Sequence, residues 1–455
     1  MRQKKRAIIF IAGNLLACTM YAQGAGVNSP YSRYGFGKLD DQALGFNKGM
    51  AGLAYGIRDG AIINQQNPAS YSQVDSVTFL FDTGISLHSA NFNANGVKQN
   101  IKNATFDYVT LSFRLRRGLG FSMGFMPYST IGYELNKSDV ITNEGDKYAS
   151  STYTNHFSGE GGLHKVYAGI GWRPFKNFSI GMNASYIYGG LRHRAANIFA
   201  SSNSYSTWRI YNTNLKTYML ELGAQYTLPL SKQDALTIGA VYTPGHSIKS
   251  TANVYDLIGN ITQYYTSSTT YVTGADDIAD ASTPSFSVKD AYDLPTSFGI
   301  GFAMKHKNSI TYGIDYTLTK WGDAKFPVIT TENGVTSYKA LKGILSDRHK
   351  ITAGFEVQPN MYSRNYLKRI KYKAGAYYAT PYTKVKGQDG ATEYGVSAGL
   401  GLPIQNQYNN RSFLNVSAQW VRIDPKTSGF LKENYFRISI GLTFNESWFR
   451  KWKVE

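Results

Sequence analysis

Cysteine is almost missing from this 455-residue chain: Cys18 is the single one, and it lies in the N-terminal leader. The chain beyond the leader therefore has no disulfide and no thiolate metal site. Charged residues make up only 17% and proline supplies 13 positions. No apolar run beyond the leader is long enough for a transmembrane helix, and the mean hydropathy of -0.32 agrees. Catalytic signatures are missing as well. His88, His156, His164, His193, His246, His306 and His349 are scattered without a His-Glu-x-x-His, Gly-x-Ser-x-Gly or cysteine cluster beside them. Metal hydrolysis and serine catalysis lack their parts, so no enzyme activity, metal or cofactor is expected.

What the chain has in quantity is glycine (45), tyrosine (35) and phenylalanine (24). Glycine serves turns and close approaches, and aromatics favour strands and interfaces, which together suit one large all-β body. The formal charge of +18 falls to +14 once Arg2, Lys4, Lys5 and Arg6 leave with the leader. These cations are spread over short loops with no basic helix, which argues against nucleic acid and for anionic lipid headgroups as the counter-charge.

Residues 1–22 read as a signal peptide: a basic start, an apolar stretch from Ala7 to Ala17, and a small-residue exit at Met20–Tyr21–Ala22 before Gln23. Cleavage after Ala22 competes with lipidation at Cys18, because Leu15–Leu16–Ala17–Cys18 has the form of a lipoprotein box. A secreted chain without a membrane helix is soluble beyond the inner membrane or is a barrel.

Residues 23–70 hold nine glycines and no period, yet carry Tyr31, Tyr34, Phe36, Leu39, Phe46 and Tyr55. That is too apolar for a solvated linker and fits a plug packed into a narrow lumen. From there to residue 446 the pattern alternates. Phe298, Ile300, Phe302 and Met304 face away from Gly299, Gly301 and Ala303, and Phe436, Ile438, Ile440 and Leu442 away from Arg437, Ser439 and Gly441. The second face carries Gly, Thr and isolated charges instead of a second apolar core, which is the signature of lipid outside and a polar lumen inside. Six short turns (near 116–118, 174–177, 229–234, 305–308, 359–365 and 403–410) alternate with seven longer connections (near 91–101, 129–160, 193–214, 250–292, 322–345, 381–391 and 422–433). Fourteen strands follow, with both ends on the periplasmic side of a bacterial outer membrane. Residues 447–455 form a basic aromatic tail suited to anchoring at headgroups or to serving as a partner's handle.

The order of a glycine-rich hatch, a motif from Asp59 to Asn67–Pro68–Ala69, and fourteen strands resembles the FadL/TodX outer-membrane channels for hydrophobic compounds, as a divergent member. The spacing of that motif is one residue wider than the family pattern. Leu119–Tyr128 in the third strand, Ser179–Asn183, Leu294–Pro295 and Trp321 are further matching pieces. The resemblance implies passive uptake of a fatty-acid-like or hydrocarbon-like ligand past a mobile hatch, with sideways exit at a kinked third strand. Arg33, Tyr34, Asn67 and Pro68 would then gate, and Phe125, Pro127 and Tyr128 would mark the exit. Proline has no N–H for a neighbouring strand, so Pro127 either interrupts pairing or ends the strand at the rim.

Other members of this superfamily are non-transporting barrels of secretion or barrel-assembly complexes. The polar 129–160 and 250–292 connections, poor in the apolar side chains of a capture groove, suit protein docking at least as well. Glu221, Asp315, Lys350, Glu356, Lys373 and Arg437 fall on the inward face, either as a polar permeation path or as ion pairs that hold the plug. Lipids and lipopolysaccharide, a hydrophobic ligand, and protein partners at the outer loops are the expected contacts.

Overall fold

A computed structural model describes residues 29–76, 78–94, 97–142, 150–199, 204–260, 283–307, 309–385, 387–404, 412–425 and 431–447. The signal peptide, Cys18 and all of the tail but Ser447 lie outside the described residues. Fourteen antiparallel strands form the wall: β1 (Thr78–Ala94), β2 (Val97–Arg116), β3 (Leu119–Thr142), β4 (Ser150–Phe175), β5 (Phe178–Phe199), β6 (Tyr205–Pro229), β7 (Ala235–Thr243), β8 (Ser297–His306), β9 (Ile310–Thr319), β10 (Arg348–Val357), β11 (Lys371–Ala379), β12 (Ala391–Ile404), β13 (Ser412–Pro425) and β14 (Lys432–Ser447). Pairing of β1 with β14, from Thr78↔Ser447 to Asn93↔Lys432, closes the ring and removes the free edges that lipid cannot satisfy. Outward positions carry Ile300, Phe302, Ile314, Ile351, Phe355, Ile438 and Ile440, all exposed, so the apolar face meets the bilayer as the alternation predicts.

The connections expected to be long are largely strand. The β1–β2, β3–β4 and β5–β6 ladders run on past the lipid belt as projecting ribbons, with Asn93↔Lys98, Asp139↔Tyr153 and Asn197↔Thr207 still in register. Above the membrane both faces of a ribbon are solvated, so the apolar alternation that marks a strand fades although the backbone ladder continues. Between β7 and β8 a further ribbon, Thr251–Asn260 with Phe286–Lys289, extends the wall beside the upper part of β6. A hairpin, Phe326–Glu332 with Val335–Leu341, follows β9.

Residues from Ser29 to Gln73, the hatch, pack against wall residues on the face opposite the exposed apolar one. They include short helical turns at Pro30–Arg33, Gly45–Lys48 and Pro68–Gln73, and a two-residue strand, Lys38–Leu39, that pairs with Ser129 and Thr130 of β3. Of the four buried apolar clusters among the described residues, two gather the most side chains. The lower one joins Leu44, Phe46, Met50, Leu53, Ile57 and Tyr71 of the hatch to Leu80, Tyr108, Met126 and Tyr167 of the wall. The upper one gathers Phe36, Ile131, Leu191, Met219, Tyr292, Trp321 and Tyr382.

Candidate functional site

Asn67 sits in extended conformation ahead of the 3-10 turn Pro68–Gln73 and caps it, its Oδ1 accepting from the Ala69 amide at 3.2 Å. Its Nδ2 donates to the carbonyls of Tyr55 (2.9 Å) and Ala224 (3.2 Å), tying two parts of the hatch to β6. Proline suits the first position of the turn, where an amide hydrogen would have no partner.

Beneath this turn the strand registers align four glycines, Gly120↔Gly171↔Gly181↔Gly223, across β3 to β6. A β-carbon on Gly171, Gly181 or Gly223 would lie within 2.5 Å of an atom of Asn67 or Pro68, and one on Gly120 at 1.9 Å from the Tyr71 carbonyl. A second row, Gly313↔Gly354↔Gly375 across β9 to β11, lies partly under Met50: β-carbons on Gly354 and Gly375 would lie within 3 Å of it. The wall is thus thinned to bare backbone where the hatch rests. Each of these glycines occupies a position on the inward face in the two-residue alternation of its own strand. The alternation made that face visible, but only the registers bring its glycines into rows.

Charged groups add further contacts beside neutral ones such as Tyr108, which accepts from the Gly45 amide, and Gln225, which donates to the Tyr55 carbonyl. Asp315 accepts from the amides of Ala54 (2.6 Å) and Tyr55 (3.0 Å). Lys373 donates to the Phe46 carbonyl at 2.7 Å and pairs with Glu356 at 3.4 Å, which also holds Lys371 at 3.1 Å. Arg437 lies 3.8 Å from Asp41 of the hatch and donates to His88. Glu221 lies 3.6 Å from buried Lys165, and Lys350 lies over the Tyr377 ring at 4.9 Å. Burial alone would raise the Asp41 carboxyl, but Lys350, Lys48 and Arg437 together hold it below the usual carboxylate range. The buried pair Lys48–Asp107, which also engages Ser86, had no signal in the sequence: Asp107 occupies a bulge in β2 opposite Gly84/Ile85, out of alternation.

The seven gate and exit residues do not form one cluster. Arg33 and Tyr34 lie at the upper end, Arg33 over the Phe157 ring at 4.5 Å. Asn67 and Pro68 lie on the lower glycine floor. Phe125 is the last β3 residue paired with β2, opposite Val109, and stacks between Phe106 and His164. Two residues on, Pro127 pairs with His164 of β4, and the register slips so that Tyr128 bulges. The Pro127 carbonyl accepts from Gln42 Nε2 at 3.0 Å and the Tyr128 carbonyl from the Asp40 amide at 3.1 Å. Above Phe125 the β2–β3 ladder stops, and the hatch strand Lys38–Leu39 takes the edge of β3 instead.

Two cavities border the hatch. One, of about 220 Å³, lies inside the lumen and is lined by charged and polar groups such as Asp41, Gln65, Glu221, Lys350, Glu393 and Arg437. The other, of about 310 Å³, lies among the short turns, between the hatch segment Gly56–Asp59 and β4, β8 and β11.

Among solved structures, a FadL homologue of Pseudomonas aeruginosa superposes with a TM-score of 0.57 at 12% identity, covering 90% of this chain and 99% of that one. The toluene transporter TbuX of Ralstonia pickettii gives 0.54 at 11% identity, over 89% and 98% of the two chains. The Pseudomonas putida toluene transporter TodX gives 0.52 at 14% identity, over 90% and 100%. The resemblance read from the hatch motif therefore holds at the level of fold, that of an outer-membrane barrel. No curated protein matches. A family model described as BamG matches residues 4–455, nearly the whole sequence, and this chain belongs to the BamG family.

Proposed function

We propose that this protein is a plugged, non-conducting outer-membrane barrel that acts as a docking subunit of a larger envelope assembly, of the secretion or barrel-assembly kind. The observation that carries this reading is the state of the upper lumen. An apolar ligand entering from outside would need an apolar cavity there. That space is filled by the chain's own side chains: Phe36 is fully buried, 5.3 Å from the Trp321 ring and 5.5 Å from Tyr292. The cavity farther in is lined with charge, and the projecting ribbons offer a broad polar surface to partners. Native mass spectrometry on protein extracted gently from its own membrane tests the reading. Stoichiometric protein partners, lost when the exposed tip of the hairpin after β9 is shortened, are expected. A partner-free monomer carrying a discrete lipophilic mass would overturn it.

A second reading, passive uptake of a small hydrophobic compound, is favoured by one specific feature. The β2–β3 ladder ends at Phe125, and the hatch strand lies against the open edge. Hatch movement there would uncover a sideways exit into the bilayer. It requires that deleting residues 23–60 change the uptake rate.

A further inference from the structure

The cavity among the short turns has a charge balance and a donor geometry that neither reading uses. Five cations line it: Arg58 from the hatch, Arg173 and Lys176 at the end of β4, Lys305 on β8 and Lys371 on β11. Two carboxylates face them. Glu356 is held by Lys371 and Lys373, and Asp59 accepts from the Ala61 amide at 3.0 Å. The lining thus carries a surplus of three positive charges.

Arg58 is the unusual member. Its Nη1 donates to Thr227 Oγ1 at 3.0 Å, while Nε and Nη2 are buried with no hydrogen-bond partner among the described residues. Those two nitrogens form one side of the guanidinium, the side that grips two oxygens of a carboxylate or phosphate in parallel. Burial, with the charge of Arg173 behind it, lowers Arg58 only to about 10, so the group stays cationic at neutral pH. Two guanidinium nitrogens shut off from water and left unpaired are costly unless something completes them. Arg173 is turned elsewhere, donating to Gln73 Oε1 at 3.1 Å, which leaves Arg58 as the central grip.

We propose that this periplasmic-side cavity binds a phosphate group, with the Arg58 fork on two of its oxygens and Lys305 and Lys176 at the rim. A phosphate monoester carries nearly two negative charges and matches the surplus better than a single carboxylate. The group comes either from a soluble phosphorylated compound or from a lipid headgroup. Arg58 belongs to the hatch and Arg173, Lys305 and Lys371 to the wall, so a bound phosphate bridges the two and fastens the hatch from below.

The test is calorimetric titration of the full-length mature protein, in neutral-lipid nanodiscs at fixed ionic strength, with inorganic phosphate as the probe. Saturable binding at one site is expected, weakened roughly tenfold or more in Arg58→Gln. Lys305→Gln, at an exposed rim position that leaves the fold intact, should weaken it several-fold. Binding in these discs identifies a soluble source. If phosphate does not bind but phosphatidic acid, whose headgroup is a phosphate monoester, stays with the wild type and is lost in both variants, the headgroup is the source. Absence of both signals, or unchanged affinity in both variants, overturns the proposal. Acetate competing as well as phosphate overturns the assignment to phosphate.

Discussion

Gly181 of β5 lies so close under Pro68 that a β-carbon there would stand 2.4 Å from the proline carbonyl carbon. The neighbour is backbone of a capped turn, not the end of a flexible side chain, so it cannot swing aside. Gly181→Ala should therefore lift the hatch off its floor, at a cost in the range of about 1–3 kcal/mol for overpacking. Thermal unfolding in detergent should show the loss, and limited proteolysis should cut the hatch sooner than in the wild type. An unchanged midpoint would mean that the floor is not a rigid seat.

The same floor shows what the sequence could and could not reveal. Alternation along β8 and β14 sufficed for strands, faces and the closed ring, because a half-buried strand repeats at two residues wherever lipid and lumen differ. It lost the upper halves of β3, β4 and β5, where solvent bathes both faces. It also lost the relation of Gly120 to Gly223, more than a hundred residues apart, since nothing local fixes which glycine meets which. Asp107 fell out of phase because a bulge shifts the count by one. The charged positions Asp315, Lys373 and Arg437 were legible as inward-facing, but their hatch partners Ala54, Phe46 and Asp41 depend on how an aperiodic segment folds in three dimensions.

Lys48 and Asp107 pair in the interior with side chains 6% and 12% exposed. Removing one member strands the other charge, at a cost of about 3–5 kcal/mol, whereas replacing both with apolar groups is commonly near neutral. Lys48→Met alone should thus be strongly destabilising, and Lys48→Met combined with Asp107→Leu should recover most of the loss. A double-mutant cycle on the unfolding midpoint measures the coupling. Additive effects would show that the pair does not hold the hatch.

Phe36 is wholly buried against Trp321, Tyr292 and Phe326 in the upper lumen. Phe36→Ala should cost about 3–5 kcal/mol and leave an apolar cavity of aromatic shape. The variant is expected to bind benzene or toluene, detectable as a rise in its melting temperature, where the wild type shows none. It should still not conduct in a planar bilayer, because Pro68 and Tyr71 remain on the glycine floor below. Conductance after this single change would place the barrier in the upper cluster alone.

Thr130 joins the hatch to β3 at the point where the β2–β3 ladder is open: its hydroxyl donates to Asp40 at 2.6 Å, and its backbone pairs with Lys38. Burial raises the Asp40 carboxyl above its usual range, and the Thr130 hydroxyl is the foremost of the groups that draw it back, ahead of Lys38 and Arg437. A carboxyl whose folded pKa is raised holds its proton longer in the folded state, so stability declines as pH rises from the ordinary carboxylate value through the folded one. Thr130→Val removes the stabilising donor and raises that pKa further. Its melting temperature should fall below the wild type by a gap that is small near pH 4, where the acid is neutral in both states, and widens toward neutrality. The same variant separates the two functional readings, because it loosens the hatch strand from β3 without touching the polar ribbons. Uptake of a labelled aromatic hydrocarbon should rise if the open edge is a passage. Unaltered uptake with unaltered retention of protein partners is what a docking barrel requires.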